Sequence, residues 1–393
     1  MKKTFCIILT LLFILSLSAC GGTDTPAGTP GTTSGTPVIS VPSSDSLSLP
    51  EQTPSQATDP ANCVFNPDLF DGKLQSCAYA GDGKLLVVSD KLYLYDTMTA
   101  SVLAVTEIPL RDFDVQIIDS GYILSGMGDD GAMAYIYDGS LSLNNEITVN
   151  ELLTGDFVVS ETGVAVSTDG KKLAIAAMRG LYLYDLESEN LTTLLDLTQN
   201  AGTSSIGISM VHSLAFTQDN SELVFYGSGL SIPAVNGEDS FSIYGSIALD
   251  GSNLKLTKPS AYDIEEMQRS TSRLFFPQTF TKANGTLLWL DRETSGVNTL
   301  SFANNSEGGD GVYSSEQGNY VATAVLAGNL TVRIYDVDSG MLLHTEVIEN
   351  ANSTYFNRIP RIYLLDEAKT AVVLLGGSIS ELDTLVSTFT FGE

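Results

Sequence analysis

The feature that most constrains this chain is a strand unit that recurs along most of its length. Each copy contains a polar turn, a short apolar run, a hairpin and a second apolar run. In four copies the second run ends in Tyr-Asp, at residues 92–96, 134–138, 181–185 and 332–336. Apolar runs of about five to eight residues between turn signals have the length of β-strands. The sequence therefore predicts an all-β chain built from one repeated sheet.

The spacing of these units predicts how many there are. Seven predicted second strands begin near residues 84, 121, 171, 221, 285, 319 and 369, at a mean step of about 48 residues, which suits a four-stranded sheet. In the fifth unit the run at residues 287–290 is taken as the second strand. The step before it is then long and the step after it short, so we expect one insertion beside one abbreviated unit. Six or eight units are the alternatives to seven.

Both faces of the predicted strands are apolar. Leucine and tyrosine alternate at residues 92–95, and successive side chains point to opposite faces of a strand. A sheet covered on one side only would alternate apolar and polar residues. Asp96, Asp185 and Asp336 each precede a Thr or Ser by three positions, which predicts turns closed by an Asp side chain that accepts backbone N–H groups. Sheets packed on both faces are what radially stacked blades require.

On these repeats, residues 63–393 resemble the WD40-like and YVTN-type β-propellers. The chain departs from true WD40 repeats, because it has one Trp, no Trp-Asp or Gly-His dipeptide, and Tyr-Asp in place of Trp-Asp. The resemblance implies an all-β propeller of seven four-stranded blades around a central channel. It also implies ligand sites at the end of the channel where second-to-third strand hairpins and the connections between blades gather.

The N-terminus resembles that of a bacterial lipoprotein. A start of Met-Lys-Lys precedes an apolar run of about 13 residues, too short to span a membrane, and then Leu-Ser-Ala-Cys ending at Cys20. The resemblance implies a signal peptide at residues 1–19 and a membrane anchor through lipid on Cys20. Gly21 in place of Asp favours the outer membrane if the cell is Gram-negative. An ordinary secretory signal with a chance cysteine is the alternative.

The segment between the anchor and the repeats predicts a flexible linker. Residues 20–62 are rich in Thr, Ser, Gly and Pro, a composition that cannot bury enough apolar surface to fold. Residues 63–393 then form the propeller. Cys63 and Cys77 form one disulfide in an exported chain or remain two free buried thiols. We expect residues 63–65 to supply the fourth strand of the last blade, which would remove an open sheet edge.

The charge of the chain restricts its partners. It has 19 Lys and Arg against 47 Asp and Glu, a formal net charge of −28. Nucleic acid is excluded as a partner, because a phosphate backbone needs clustered cations. The acid excess instead predicts a cationic partner or none.

Candidate ligand-binding residues lie on the predicted hairpins and on two long connections, at residues 228–240 and 258–273. A short helix is expected at residues 264–269. Long loops in a compact fold are often functional, although an insertion without function is equally compatible with the sequence. The candidates are Asp129, Asp130, Arg179, Glu238, Asp239, Tyr262, Arg269, Arg273 and Arg292.

Catalytic and metal motifs are absent from the sequence. His212 and His344 are each flanked by apolar residues and are interpreted as structural. The chain has no Gly-x-Ser-x-Gly elbow, Walker A motif or dinucleotide fingerprint, and two Cys with two distant His do not give a zinc spacing. Acidic loops at residues 129–131, 307–310 and 336–338 leave Ca²⁺ as a weak alternative, because none matches the EF-hand spacing. No other cofactor is expected.

Two functions remain open on the sequence alone. The first is a membrane-anchored envelope lipoprotein whose propeller is a binding or scaffold module for a protein, peptide or glycan. The second is a propeller enzyme of lactonase or quinoprotein type in the periplasm or at the cell surface, which would need a metal or cofactor cluster at the channel mouth.

Overall fold

The structure is a computed structural model. It describes residues 65–108, 110, 112–128, 131–158, 161–199, 201–231, 240–258, 267–277, 286–294, 296–301, 311–349, 359–376 and 384–392. The predicted signal peptide, Cys20, the linker and Cys63 lie outside these residues. What the sequence indicates for those segments stays a prediction.

Within the described residues the chain forms seven antiparallel sheets in sequence order, which we number as blades 1 to 7. The strands of blades 1 to 4 are β1 (Ser76–Gly81), β2 (Lys84–Val88), β3 (Lys91–Asp96), β4 (Ser101–Glu107); β5 (Asp112–Ile118), β6 (Gly121–Gly128), β7 (Gly131–Asp138), β8 (Leu143–Thr148); β9 (Val164–Val166), β10 (Lys172–Ala176), β11 (Gly180–Asp185), β12 (Asn190–Asp196); β13 (Ile206–Phe216), β14 (Glu222–Ser231), β15 (Phe241–Ala248) and β16 (Lys255–Thr257).

The remaining strands belong to blades 5 to 7. They are β17 (Gln268–Arg269), β18 (Arg273–Pro277), β19 (Thr286–Asp291), β20 (Val297–Ser301); β21 (Gly311–Ser314), β22 (Tyr320–Ala327), β23 (Asn329–Asp336), β24 (Leu342–Ile348); β25 (Ile359–Leu365), β26 (Thr370–Gly376) and β27 (Leu385–Thr390). Three 3₁₀ turns (Pro67–Leu69, Glu161–Gly163, Leu197–Gln199) and one helical turn, α1 (Val149–Leu152), complete the described elements. None of the described helices is long and apolar enough to cross a membrane.

The seven sheets form a ring around one channel. The first strands β1, β5, β9, β13, β17, β21 and β25 all contribute residues to the same central cavity, so the first strand of every blade is the innermost. The predicted seven-bladed β-propeller is therefore confirmed. We call the end with the second-to-third strand hairpins, such as Met178 to Gly180, the front end. The end with the first-to-second strand turns, such as Asp82 and Gly83, is the back end.

The fifth blade corrects the sequence register. Residues 287–290 lie in β19, the third strand. The second strand is β18, whose first residue, Arg273, the sequence pattern placed at the end of a long connection. Second strands therefore begin at residues 84, 121, 172, 222, 273, 320 and 370, without the irregular pair of steps that suggested an insertion. The expected helix at residues 264–269 is also wrong for Gln268 and Arg269, which form the inner strand β17. This strand was missed because its two residues are too few to show alternation.

The interior lies between neighbouring blades. Leu92, Tyr93, Leu94 and Tyr95 are all buried, which confirms that both sheet faces are covered. Leucines 92 and 94 pack towards blade 2, whereas the two tyrosines pack with blade 7 and with Phe65 and Phe70. Each blade thus buries one face against the blade before it and the other against the blade after it.

The predicted Asp turns are present and extend beyond the three that the sequence identified. The Asp96 carboxylate accepts the N–H groups of residues 98 and 99, and Asp185 and Asp336 accept those of Ser188 and Ser339. Asp138, Asp250 and Asp291 make the equivalent turns in blades 2, 4 and 5. In blade 2 the Ser140 and Ser142 donors lower the pKa of Asp138.

The inner strands are linked from blade to blade by side chains. The Gln116 amide on β5 donates to the Val164 carbonyl at 2.9 Å and accepts from the Val166 N–H at 3.0 Å, both on β9. Gln268 on β17 repeats this arrangement with Val312 and Ser314 on β21. Each glutamine therefore takes the place of a neighbouring strand and satisfies the free edge of the next blade.

Tyrosines link blades 6, 7 and 1, where the ring closes. The Tyr79 hydroxyl on β1 donates to the Ser314 carbonyl at 2.9 Å and accepts from the Leu364 N–H at 2.8 Å. Tyr363 on β25 accepts from the Cys77 N–H at 2.9 Å. Phe65 was expected in a fourth strand of blade 7, but it lies outside any strand and packs as a buried side chain between blades 7 and 1.

We predict that Gln116→Leu destabilises the ring. The substitution leaves a carbonyl and an N–H of β9 without their partner, which costs about 1–3 kcal/mol. Chemical denaturation should show this loss, whereas Gln199→Leu, which removes an exposed local bond to Asp196, should change the free energy of unfolding by only a few tenths of that. Equal stability of the two variants would contradict the bridging role.

Candidate functional site

The central channel encloses a cavity of about 810 Å³. Its wall combines aromatic, amide, hydroxyl and charged groups from all seven blades. Aromatic lining comes from Tyr79, Phe113, Tyr313 and Tyr363, and Ile117 exposes its side chain to the cavity. A concave site with apolar walls and a few polar groups is the usual form of a ligand-binding site.

Arg269 crosses this channel. Its guanidinium starts on β17 of blade 5 and forms an ion pair with Asp114 on β5 of blade 2. On the way it donates to the Leu214 carbonyl of blade 4 at 2.7 Å and to the Thr162 carbonyl of blade 3 at 3.1 Å. Arg269 was predicted as a surface ligand-binding residue on a loop. The structure shows that its donors hold four blades together inside the ring.

Arg292 lies at the back end of the channel. The sequence pattern assigned it to the front end, because β19 was taken as a second strand, but it follows β19 in a third-to-fourth strand turn. Its guanidinium donates to the carbonyls of Ser270, Thr271 and Phe216. Burial, together with the nearby charge of Arg269, lowers the pKa of Arg292 to about 10. These contacts tie blade 5 to blade 4.

An acidic region also faces the cavity at the back end, on blade 6 next to blade 5. Glu316, in the turn after β21, is buried and lines the cavity. Burial, with Asp366 and Asp82 nearby, raises the pKa of Glu316 to about 7. Burial also raises the pKa of Asp366, which accepts hydrogen bonds from Ser315 and from the Gln317 N–H. Sequence patterns missed Glu316 because a single acid in a polar turn has no distinguishing signal.

The remaining described candidates do not join the channel. Arg273 is buried between blades 5 and 6, where it stacks on Trp289 at 4.5 Å and donates to Asp338 and to the Gly318 carbonyl. Arg179 is exposed at the front end of blade 3. Asp129, Asp130, Glu238, Asp239 and Tyr262 lie outside the described residues, so their assignment as ligand-binding residues stays a prediction.

The described cysteine and both histidines have identifiable surroundings. Cys77 is a buried thiol on β1 whose pKa is raised by burial; Cys63 is not described, so the disulfide stays a prediction. The His212 ring packs against Tyr226 at an interplanar angle of 34° and hydrogen bonds to Ser228, and His344 stacks on Phe389. Within the described residues, three or more Cys, His, Asp or Glu side chains nowhere converge as a metal site would require.

The fold and the channel define this chain as a seven-bladed β-propeller, a fold that hosts many unrelated functions. No protein-family model matches the sequence, and no curated protein sequence matches it. Among solved structures, the β-propeller domain of Myceliophteria thermophila Cps50 (Swd1) is similar with a TM-score of 0.53 and 12% identity, over 82% of this chain and 98% of that domain. The tricorn protease gives a TM-score of 0.44 and 11% identity, over 80% and 35% of the two chains. The first likeness supports the fold alone.

We predict that Arg269→Met destabilises the protein by about 2–4 kcal/mol, less than for a fully buried pair because the cavity admits water. The loss should appear as a lower denaturation midpoint. Adding Asp114→Leu should restore part of the stability, because the partly buried carboxylate is then no longer left without its cation. Arg179→Met, on the exposed front hairpin, is the matched control. Equal stability of Arg269→Met and the control would refute the cross-channel role.

Glu316 predicts a pH dependence of stability. Its folded pKa of about 7 lies above its ordinary value of 4.5, so between these values the folded state holds a proton that the unfolded state has released. The free energy of unfolding should therefore fall as the pH rises from about 4.5 to 7 and level off above. Glu316→Gln should flatten this slope, and Glu187→Gln, on an exposed turn, should not. An unchanged slope in Glu316→Gln would assign the dependence elsewhere.

Proposed function

We propose that this chain is a lipid-anchored protein of the bacterial cell envelope whose propeller is a binding or scaffold module for a protein, peptide or glycan partner. The N-terminal sequence supports this location, because it has a cationic start, a short apolar run and a cysteine at position 20. A flexible linker would hold the propeller away from the membrane. Its root-mean-square reach is roughly 35 Å.

The observation that carries the binding role is how the channel uses its polar groups. Arg269, Gln116 and Gln268 direct their donors and acceptors to the backbones and side chains of neighbouring blades. Tyr79 and Arg292 do the same at the ring closure and at the back end. These groups are committed to holding the ring in shape, and such a preorganised ring favours presentation of a fixed surface. A catalytic group would need to be free to engage a substrate.

The predicted lipid anchor can be tested on the full chain. We predict that the wild-type protein made in a bacterial host carries lipid on Cys20, seen as a mass increase of the N-terminal peptide and partition into a detergent phase. Cys20→Ser should lose both, and Cys6→Ser, inside the predicted signal peptide, should lose neither. Lipidation that persists in Cys20→Ser would contradict the assignment of Cys20 as the lipid anchor.

The binding role requires a specific partner of the propeller in the cell. Crosslinking of the anchored wild-type chain in intact cells should capture a specific partner, identified by mass spectrometry, and capture should survive Glu316→Gln. Failure to capture a partner, together with turnover of a lactone that Glu316→Gln abolishes, would replace the binding role with the enzyme alternative.

A further inference from the structure

Four exposed apolar side chains lie at the front end of three consecutive blades. Met127 is near the end of β6 in blade 2, and Leu230 is near the end of β14 in blade 4. Between them, Phe157 and Met178 belong to blade 3, with 50% and 39% of their surfaces exposed. We call these four residues the front apolar face. Other exposed apolar residues, such as Leu103 and Val347, lie on fourth strands around the outside of the ring.

The centre of this face is held rigid by a buried carboxylate. Asp156, 9% exposed, accepts the Arg179 N–H at 3.0 Å, the Phe157 N–H at 2.9 Å and the Tyr182 hydroxyl at 2.9 Å. The Met178 N–H donates to the Phe157 carbonyl at 3.0 Å. Phe157 and Met178 are therefore fixed side by side before any partner arrives, which lowers the entropy cost of binding.

The blade 2 hairpin that carries Met127 is connected to the blade 3 centre of the face through α1. A Cβ on Gly131, at the start of β7, would lie 2.2 Å from the Asn150 amide nitrogen on α1, so the blade 2 hairpin touches the helical turn. After this turn the Leu153 N–H donates to the Asn150 carbonyl. The chain then continues to Asp156 and Phe157. Met127 pairs across its hairpin with Ala132, next to Gly131.

Blade 4 extends further at the front end than blade 3. Its strands β13 and β14 contain 11 and 10 residues, whereas β9 and β10 in blade 3 contain 3 and 5. In each pair the two strands are joined by a back-end turn. The extra length of the blade 4 strands therefore projects at the front. Leu230 is on this projection, opposite Gly207, and stands beyond the level of the blade 3 hairpin. The front apolar face is thus stepped rather than flat.

The charge of the chain indicates what covers this face. With 47 acidic against 19 basic residues, a second copy of this chain and an anionic membrane are both repelled. At the face, Glu151 is exposed on α1, and Asp196 pairs across from Gly180 on the hairpin that carries Met178. Apolar anchors with an acidic surround complement a partner that has apolar and basic side chains together.

We propose that the front apolar face docks a cationic amphipathic segment of a protein partner, with Phe157 and Met178 as the central anchors. This inference rests on the proposed binding function and names the partner class for it. Apolar contact supplies most of the affinity, and the acid excess of the chain speeds association and selects the sign of the partner's charge. Arg179 is the nearby basic exception on the hairpin.

The test uses the full chain in detergent and a short labelled amphipathic helical peptide of leucine and lysine. Fluorescence anisotropy should show binding that Phe157→Ser/Met178→Ser weakens by about tenfold or more, as expected for central anchors. Met341→Ser/Val297→Ser is the matched control, because these two residues together are at least as exposed as the anchors but lie on blades 6 and 5 away from the front hairpins. Its affinity should equal that of the wild type. Thermal melts of both double variants should show cooperative unfolding like that of the wild type.

Two results of the peptide assay would overturn the proposal. In the first, the two double variants lose the same amount of affinity for the peptide. In the second, a peptide of leucine and glutamate binds the wild type as tightly as the peptide of leucine and lysine. Binding to phosphatidylglycerol vesicles that depends on Phe157 and Met178 would assign the face to a membrane, and a dimer that dissociates in the test variant would assign it to a second copy. If the crosslinked partner is captured equally by the test variant, the docking inference fails while the proposed binding function stands.

Discussion

The free edge of the innermost strand is the constraint on which this structure depends. Each blade presents one strand to the channel, and the backbone groups on its open side need partners once they are buried. The chain supplies them from side chains of other blades: glutamines from blade 2 to 3 and from 5 to 6, tyrosines among 6, 7 and 1, and Arg269 from blade 5 to the adjacent blade 4. The ring is therefore held from inside as well as by apolar packing between blades.

This solution has a consequence for function. Polar groups that complete the inner edges form the wall of the cavity, so what looks like an equipped active site is in large part structural. Arg269 illustrates the point, because its ion pair with Asp114 spans the channel while its other donors bind carbonyls. Glu316 differs, since burial near Asp366 holds its carboxyl partly protonated near neutral pH. The docking surface that we propose lies instead at the front end, where apolar side chains are exposed.

The repeat could be predicted because its signals are local. Apolar runs on both faces and an Asp with a following Ser or Thr depend only on neighbouring residues, and they identified the blades around Asp96, Asp185 and Asp336. Blade 5 failed for a physical reason. Its inner strand has two residues and its third strand, with Trp289, carries the stronger apolar run, so the period shifted by one strand. That shift also placed Arg292 at the wrong end of the channel.

The sequence by itself determined the all-β class, the repeated sheet that favours seven blades, the chemistry of the turns and the acid excess that limits the partners, because each depends on composition or on residues close along the chain. Only the tertiary structure decided which polar groups meet. Arg269 and Asp114 are 155 residues apart, and Tyr79 meets Leu364 across the closure of the ring. Nothing in a local pattern encodes such pairs, since they exist only when seven blades close on one axis. The same closure places Met127, Phe157, Met178 and Leu230 at one end of the ring.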